Sequence, residues 1–150
     1  MRVNTPGDLR QYKSSEVAVS DWVEVTQEMI DGFAESTGDF QWIHVDADRA
    51  ESESVFGSTI AHGFLTLSLL SKFLNETIDL GRSKMGINYG LNRVRFTAPV
   101  RVDSRLRARF YLEDVVDIPD GVQLVWTVTI EIEGESKPAL VAEWLTRRYG

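Results

Sequence analysis

The sequence predicts an α+β domain in which a long antiparallel sheet wraps around one central helix, and three observations carry that prediction. Thr59 to Ile78 sets Ile60, Ala61, Phe64, Leu65, Leu67, Leu69, Leu70, Phe73 and Leu74 on nearly every helical face, the mark of a buried helix. The segments after it alternate apolar and polar residues with the period of long strands. A length of 150 residues, 43% apolar and 26% charged, suits a single globular domain over 1–150 and not a disordered chain.

Each element has its own signal. Val17 to Val25 alternates like a strand with one buried face. Thr26 reads as a helix N-cap, Met29, Ile30, Phe33 and Ala34 form the apolar stripe behind it, and Gly38 is placed to stop the helix after Thr37. Asp39 to Ser58 is irregular; Asp46 can cap a short helix over Ala47 to Glu51, and Phe56-Gly57-Ser58 reads as a loop before the central helix. Met85, Ile87, Tyr89 and Leu91 share one parity while Val94 and Phe96 take the other, which predicts a bulge near Asn92. Leu106 to Leu112 forms the next strand, Pro119-Asp120-Gly121 a turn, and Val122 to Ile132 a long alternating strand. Gly134 to Lys137 turns again into a last strand through Leu140, Ala142 and Trp144 to Arg147-Arg148.

A buried helix followed by long antiparallel strands has one economical packing, in which the sheet curls round the helix: the hot-dog arrangement. Such strands leave an edge to be covered, so a homodimer or higher homo-oligomer is expected.

Composition removes several function classes. A chain without cysteine has no disulfide, thiolate metal site or cysteine nucleophile. A net charge of −7 opposes non-specific nucleic-acid binding. No segment has the apolar length of a membrane span, and Met1 to Val19 lacks the apolar centre of a secretion signal; a cytoplasmic protein with no membrane partner is expected. Arg93, Arg95, Arg101, Arg105, Arg107 and Arg109 are candidates to meet an anionic ligand such as coenzyme A.

The chain has two histidines. His44 follows Asp39 by a spacing that would separate them on a helix but lets a loop fold both toward one water, making a general acid–base pair in which the carboxylate holds the imidazole's charge and tautomer. The structural alternative is that Asp39 caps the next turn and His44 is simply half-buried. His62 reads as structural, orienting the start of the helix. Gly63 places a backbone N–H in the first turn of the central helix, where donors lack intrahelical partners; alternatively it serves close helix–sheet packing. Ser71 lies on the same helix side as Gly63, or else bonds back to a helix carbonyl. A zinc site built from Asp39, His44, Asp46 and His62 lacks the spaced ligand motifs such sites show, so no metal is expected.

Thr37-Gly38-Asp39 with His44, followed by Phe56-Gly57 and Ile60-Ala61-His62-Gly63-Phe64, closely resembles the MaoC-like dehydratases, the (R)-specific enoyl-CoA hydratase family, and within it the NodN-like branch. The resemblance covers about Val17 to Phe96. It implies a hot-dog dimer and a substrate that is an acyl thioester of coenzyme A or acyl carrier protein, with no cofactor. It implies that Asp39 and His44 activate the water that adds to the enoyl thioester, that Gly63 N–H holds the thioester oxygen, and that Ser71 assists. The family pattern has Asn-Pro where this chain has Gln41-Trp42, a departure shared by NodN-like members that bears on substrate identity. The expected activity is hydration of trans-2-enoyl thioesters or dehydration of (R)-3-hydroxyacyl thioesters. The rivals are a hot-dog acyl thioesterase and a non-catalytic acyl-ligand binding protein on the same scaffold.

Overall fold

The computed structural model describes residues 1–150. A 3-10 segment, Pro6–Tyr12, leads into β1 (Ser15–Val19) and a two-residue β2 (Val23–Glu24), so the single strand expected over Val17 to Val25 is broken. Ser20 breaks it. This buried residue donates its N–H to the Ala108 carbonyl at 2.9 Å, and its hydroxyl accepts the Ala108 N–H at 2.8 Å. A side chain thus replaces a backbone group in the ladder between Val19, paired with Arg109, and Val23, paired with Leu106.

Thr26 caps α1 (Gln27–Thr37) by accepting the Met29 N–H at 3.2 Å, and Gly38, at φ 78°, ends it in the left-handed conformation that glycine adopts without strain. A single turn that the irregular pattern did not suggest, α2 (Trp42–Val45), comes next. Asp46 then caps α3 (Ala47–Glu53), which runs past the expected end at Glu51, by accepting the Arg49 N–H at 3.0 Å.

The central helix α4 is Gly63–Thr77, shorter at its start than the apolar pattern from Thr59 predicts. Thr59 to Ala61 is instead extended and paired: Ile60 N–H donates to Ile43 O (3.0 Å), Ala61 N–H to Val100 O (2.7 Å), and Val102 N–H to Thr59 O (3.0 Å). Long-range backbone partners satisfy this apolar stretch better than another helical turn would. That pairing builds the site described below.

The sheet runs β1-β4-β5-β6-β3, all antiparallel, with β2 also on β4; here β3 is Met85–Phe96, β4 Arg105–Ile118, β5 Gly121–Ile132 and β6 Leu140–Tyr149. The bulge expected near Asn92 appears as a register slip between Leu91 and Arg93, with another between Asn88 and Gly90. The inner face of β4 (Leu106, Ala108, Phe110, Leu112) and of β5 (Leu124, Trp126, Val128, Ile130) is wholly buried and shares one core with Leu65, Leu69, Leu70, Phe73 and Leu74 of α4. Trp126 stacks edge-on against Phe110 at 5.8 Å and donates its indole N–H to Thr146 Oγ1 at 3.1 Å. This is the sheet-around-helix arrangement that the sequence predicts. β3 forms one edge and leaves Met85, Ile87, Tyr89, Leu91 and Phe96 exposed. No helix is long and apolar enough to cross a membrane.

Candidate active site

The sequence folds the loop after α1 onto the segment before α4, and named contacts hold it there. Gln27, at the start of α1, donates from Nε2 to the His44 carbonyl at 2.7 Å and accepts the Thr59 hydroxyl at 2.5 Å. With the Ile60 N–H bonded to Ile43 O, the α2 turn is tied to Thr59-Ile60 on both sides. His44 is thereby buried, 7% exposed, at the inner face of α2.

His44 Nδ1–H donates to the Ile60 carbonyl at 2.7 Å. A carbonyl only accepts, so this contact fixes the proton on Nδ1 and leaves the Nε2 lone pair free in the neutral ring. The tautomer is therefore set by Ile60, not by the Asp39 carboxylate as the sequence reading has it. Burial pushes the His44 pKa below its ordinary value; the Ile60 carbonyl opposes this, His62 adds to it, and Asp39 opposes it.

One polar side-chain atom from each of Asp39, His44 and His62 falls within 4.8 Å of the others. Asp39 is exposed and otherwise engaged only with the Gln41 N–H, at 3.3 Å to Oδ1. A water that bonds two partners at tetrahedral angle sets them about 4.6 Å apart. One carboxylate oxygen of Asp39 and one ring nitrogen of His44 are thus close enough for a single water to bond both.

His62 does more than orient the helix start. Its Nε2–H donates to the Asp39 backbone carbonyl at 3.0 Å, and its ring stacks on His44 at 3.9 Å with 25° between the planes. Phe33 packs on it at 4.9 Å, while Nδ1 is buried without a partner. The motif placed His62 next to Gly63; the stack on His44 had no signal in the sequence, and neither did Gln27's two bonds.

Gly63 opens α4, and its N–H has neither an intrahelical acceptor nor another backbone partner. Close packing also calls for a glycine here, because an added Cβ would lie 3.1 Å from the Phe96 ring. It borders a hollow of about 280 Å³ with Phe56, Ile60, Thr66, Phe96 and Val100. Ser71 is not brought to the pair. It sits roughly two turns, about 12 Å, further along the helix axis, exposed beside Asn88, Leu91 and Trp144. Trp42 packs under the Arg49 guanidinium at 4.2 Å, so this departure from the family pattern forms a surface stack. Arg105, Arg107 and Arg109 are spent on Glu133, Glu131 and Glu16, which leaves Arg93, Arg95 and Arg101 of the basic candidates outside ion pairs.

Asp39, His44 and His62 also form the one group of potential metal ligands in the structure. Each ring has one nitrogen on a carbonyl, which leaves one nitrogen apiece for another partner.

The chain matches the sequence profile described as MaoC like domain over residues 11–134. The chain belongs to this family. The MaoC-like chain is 50% identical over 141 residues to 3-hydroxyacyl-thioester dehydratase Z of Mycobacterium tuberculosis, covering 93% of each. It is 50% identical over 142 residues to Nodulation protein N of Rhizobium leguminosarum bv. viciae, covering 93% of this chain and 88% of the other. Among solved structures, the (R)-hydratase from A. caviae superposes with a TM-score of 0.67 at 24% identity, over 87% of this chain and 96% of that one; this likeness speaks for the fold.

Proposed function

We propose that the protein hydrates trans-2-enoyl thioesters and, in reverse, dehydrates (R)-3-hydroxyacyl thioesters. One observation carries the reading: Asp39 and His44 lie within reach of a single water while Ile60 holds His44 in the tautomer that leaves Nε2 as a base. Half-identity over nearly full length to a 3-hydroxyacyl-thioester dehydratase supports the reaction class.

Hydration then runs as follows. His44 Nε2 takes one proton from the water while Asp39 accepts the other in a hydrogen bond, aiming the oxygen at C3. As the C3–O bond forms, the double-bond electrons move onto the thioester oxygen, where the Gly63 N–H and the positive end of α4 meet the charge. The proton held on His44 passes to C2, and the enolate returns to a thioester. Atoms and charge balance without a redox cofactor.

A homodimer that covers the exposed β3 edge is part of this reading. The substrate's carrier is coenzyme A or acyl carrier protein in this reading.

The test follows the absorbance of enoyl-CoA substrates from short to long acyl chains. Loss of the conjugated absorbance is expected; absence of turnover across the panel refutes the hydration. Nodulation protein N, equally similar, carries no reaction in its name. A non-catalytic acyl-binding role therefore predicts the opposite result for Asp39→Ala: ligand binding and biological effect both intact.

A further inference from the structure

Away from the Asp39–His44 pair, one cation stands apart. Arg148, near the end of β6, points to the inner face of the sheet, and its Nε–H is buried with no acceptor. It takes part in no ion pair, whereas Arg105, Arg107 and Arg109 each meet a carboxylate. Burial alone draws its pKa below the ordinary arginine value, and no acid compensates. An arginine keeps its charge in such a place, so a desolvated cation is held without a counter-ion.

The surroundings accommodate this guanidinium deliberately. Gly86, paired with Arg148 across β3 and β6, would put a Cβ 1.8 Å from Nη1, so only a glycine lets the fork lie flat there. Around it Ser71, Asn75, Asn88, Trp144 and Thr146 line a hollow of about 150 Å³. Asn88 Oδ1 accepts the Trp144 indole N–H at 2.6 Å, and Thr146 Oγ1 accepts that of Trp126 at 3.1 Å. Their oxygens thus occupied, the Asn88 amide and the Thr146 hydroxyl have donors left, and the hollow is rich in donors around a cation.

Its position gives it a ligand class. A second hollow, walled by Phe64, Leu67, Ser71, Leu91 and Trp144, shares Ser71, Asn88 and Trp144 with it and runs along α4 toward Gly63. From Gly63 to Asn75 is about 18 Å along the helix axis, a length that a long acyl chain spans and a four-carbon one does not. We propose that Arg148 and its hollow bind a carboxylate at the far end of a long acyl thioester, so that the site favours ω-carboxyacyl over methyl-ended chains. The inference rests on the thioester reading above for the identity of the chain. The planar fork of Arg148 matches a carboxylate in two parallel hydrogen bonds.

The test uses two saturated thioesters that cannot be hydrated, tetradecanoyl-CoA and the CoA monothioester of tetradecanedioic acid. Their binding is measured by calorimetry on the wild type, Arg148→Met and Arg148→Lys. The dioic thioester should bind the wild type roughly tenfold or more tightly than Arg148→Met, the size of a lost charged hydrogen-bond pair, while tetradecanoyl-CoA binds both alike. Arg148→Lys should recover part of the difference. Gly86→Ala, which expels the guanidinium without removing its charge, should copy Arg148→Met and serves if that variant does not fold. Crotonyl-CoA hydration, too short to reach Arg148, stays unchanged in the Arg148 variants; if the wild type turns over no enoyl-CoA of any chain length, the hydratase reading fails separately. Equal wild-type affinity for the two thioesters, or a preference that survives Arg148→Met, overturns the proposal. So does a dimer that falls apart in Arg148→Met by light scattering, which would give Arg148 to a carboxylate of a second copy, or saturation by inorganic phosphate without a response to the dioic chain.

Discussion

Replacing His44 by Asn separates what the imidazole does for the fold from what it does for the reaction. The Asn Nδ2 can take the place of Nδ1 and keep the 2.7 Å bond to the Ile60 carbonyl, while Nε2 disappears. What the fold loses is the stack on His62 at 3.9 Å and part of the ring's burial, about 1–2 kcal/mol together. His44→Ala is harsher, because the Ile60 carbonyl is left unpaired at a further cost of about 1–3 kcal/mol. On the reaction side, both variants lack the base, which predicts a fall in kcat of about 100- to 10,000-fold. Adding Asp39→Asn to His44→Asn should then cost little more, since two groups that act on one water fail as a unit. Urea unfolding and initial rates with crotonyl-CoA measure the two sides. A folded His44→Asn that keeps kcat within about threefold of the wild type would refute the role given to His44.

The pH dependence follows from the depressed pKa of buried His44. Below its ordinary value of 6.5 the unfolded chain takes up a proton that the folded chain resists, so stability should be full above that pH and decline as pH falls toward the folded value. The acid limb of kcat/KM should likewise lie below 6.5, and a limb at or above that pH contradicts a neutral, buried base. Gly63→Ala must push the Phe96 ring, 3.1 Å from the new Cβ, and narrow the approach to the amide; kcat should fall by about tenfold or more with stability changed by less than about 1 kcal/mol, by rates and thermal melts. Trp126→Ala should cost about 3–5 kcal/mol in denaturant unfolding because the ring is wholly buried on Phe110; a loss under about 1 kcal/mol would mean the core is misdescribed.

The fold was legible wherever burial imposes a period. β4 and β5 read off directly because Leu106 to Leu112 and Leu124 to Ile130 alternate onto one buried face. Thr26 and Gly38 marked both ends of α1, since capping is chemistry local to the chain. The start of α4 was misread because Ile60 and Ala61 fit a helical stripe, and only the distant partners Ile43, Val100 and Val102 make the segment extended. Ser20 broke the first strand for the same non-local reason. In the site, the residue types of Asp39 and His44 were visible but their meeting was not. Spacing cannot show that Ile60 holds one ring nitrogen or that His62 covers the ring. Arg148 read simply as the end of a strand, because its missing counter-ion exists only in three dimensions.

Product analysis bears most directly on whether the Asp39–His44 water attacks C3 or the thioester carbonyl. The purified protein is incubated with crotonyl-CoA, and the mixture is resolved by mass spectrometry alongside a free-thiol assay. Addition at C3 gives an intact thioester heavier by one water, of (R) configuration, with no thiol released. Free coenzyme A appearing at the rate of substrate loss would contradict it and turn the same pair of side chains into a thioesterase.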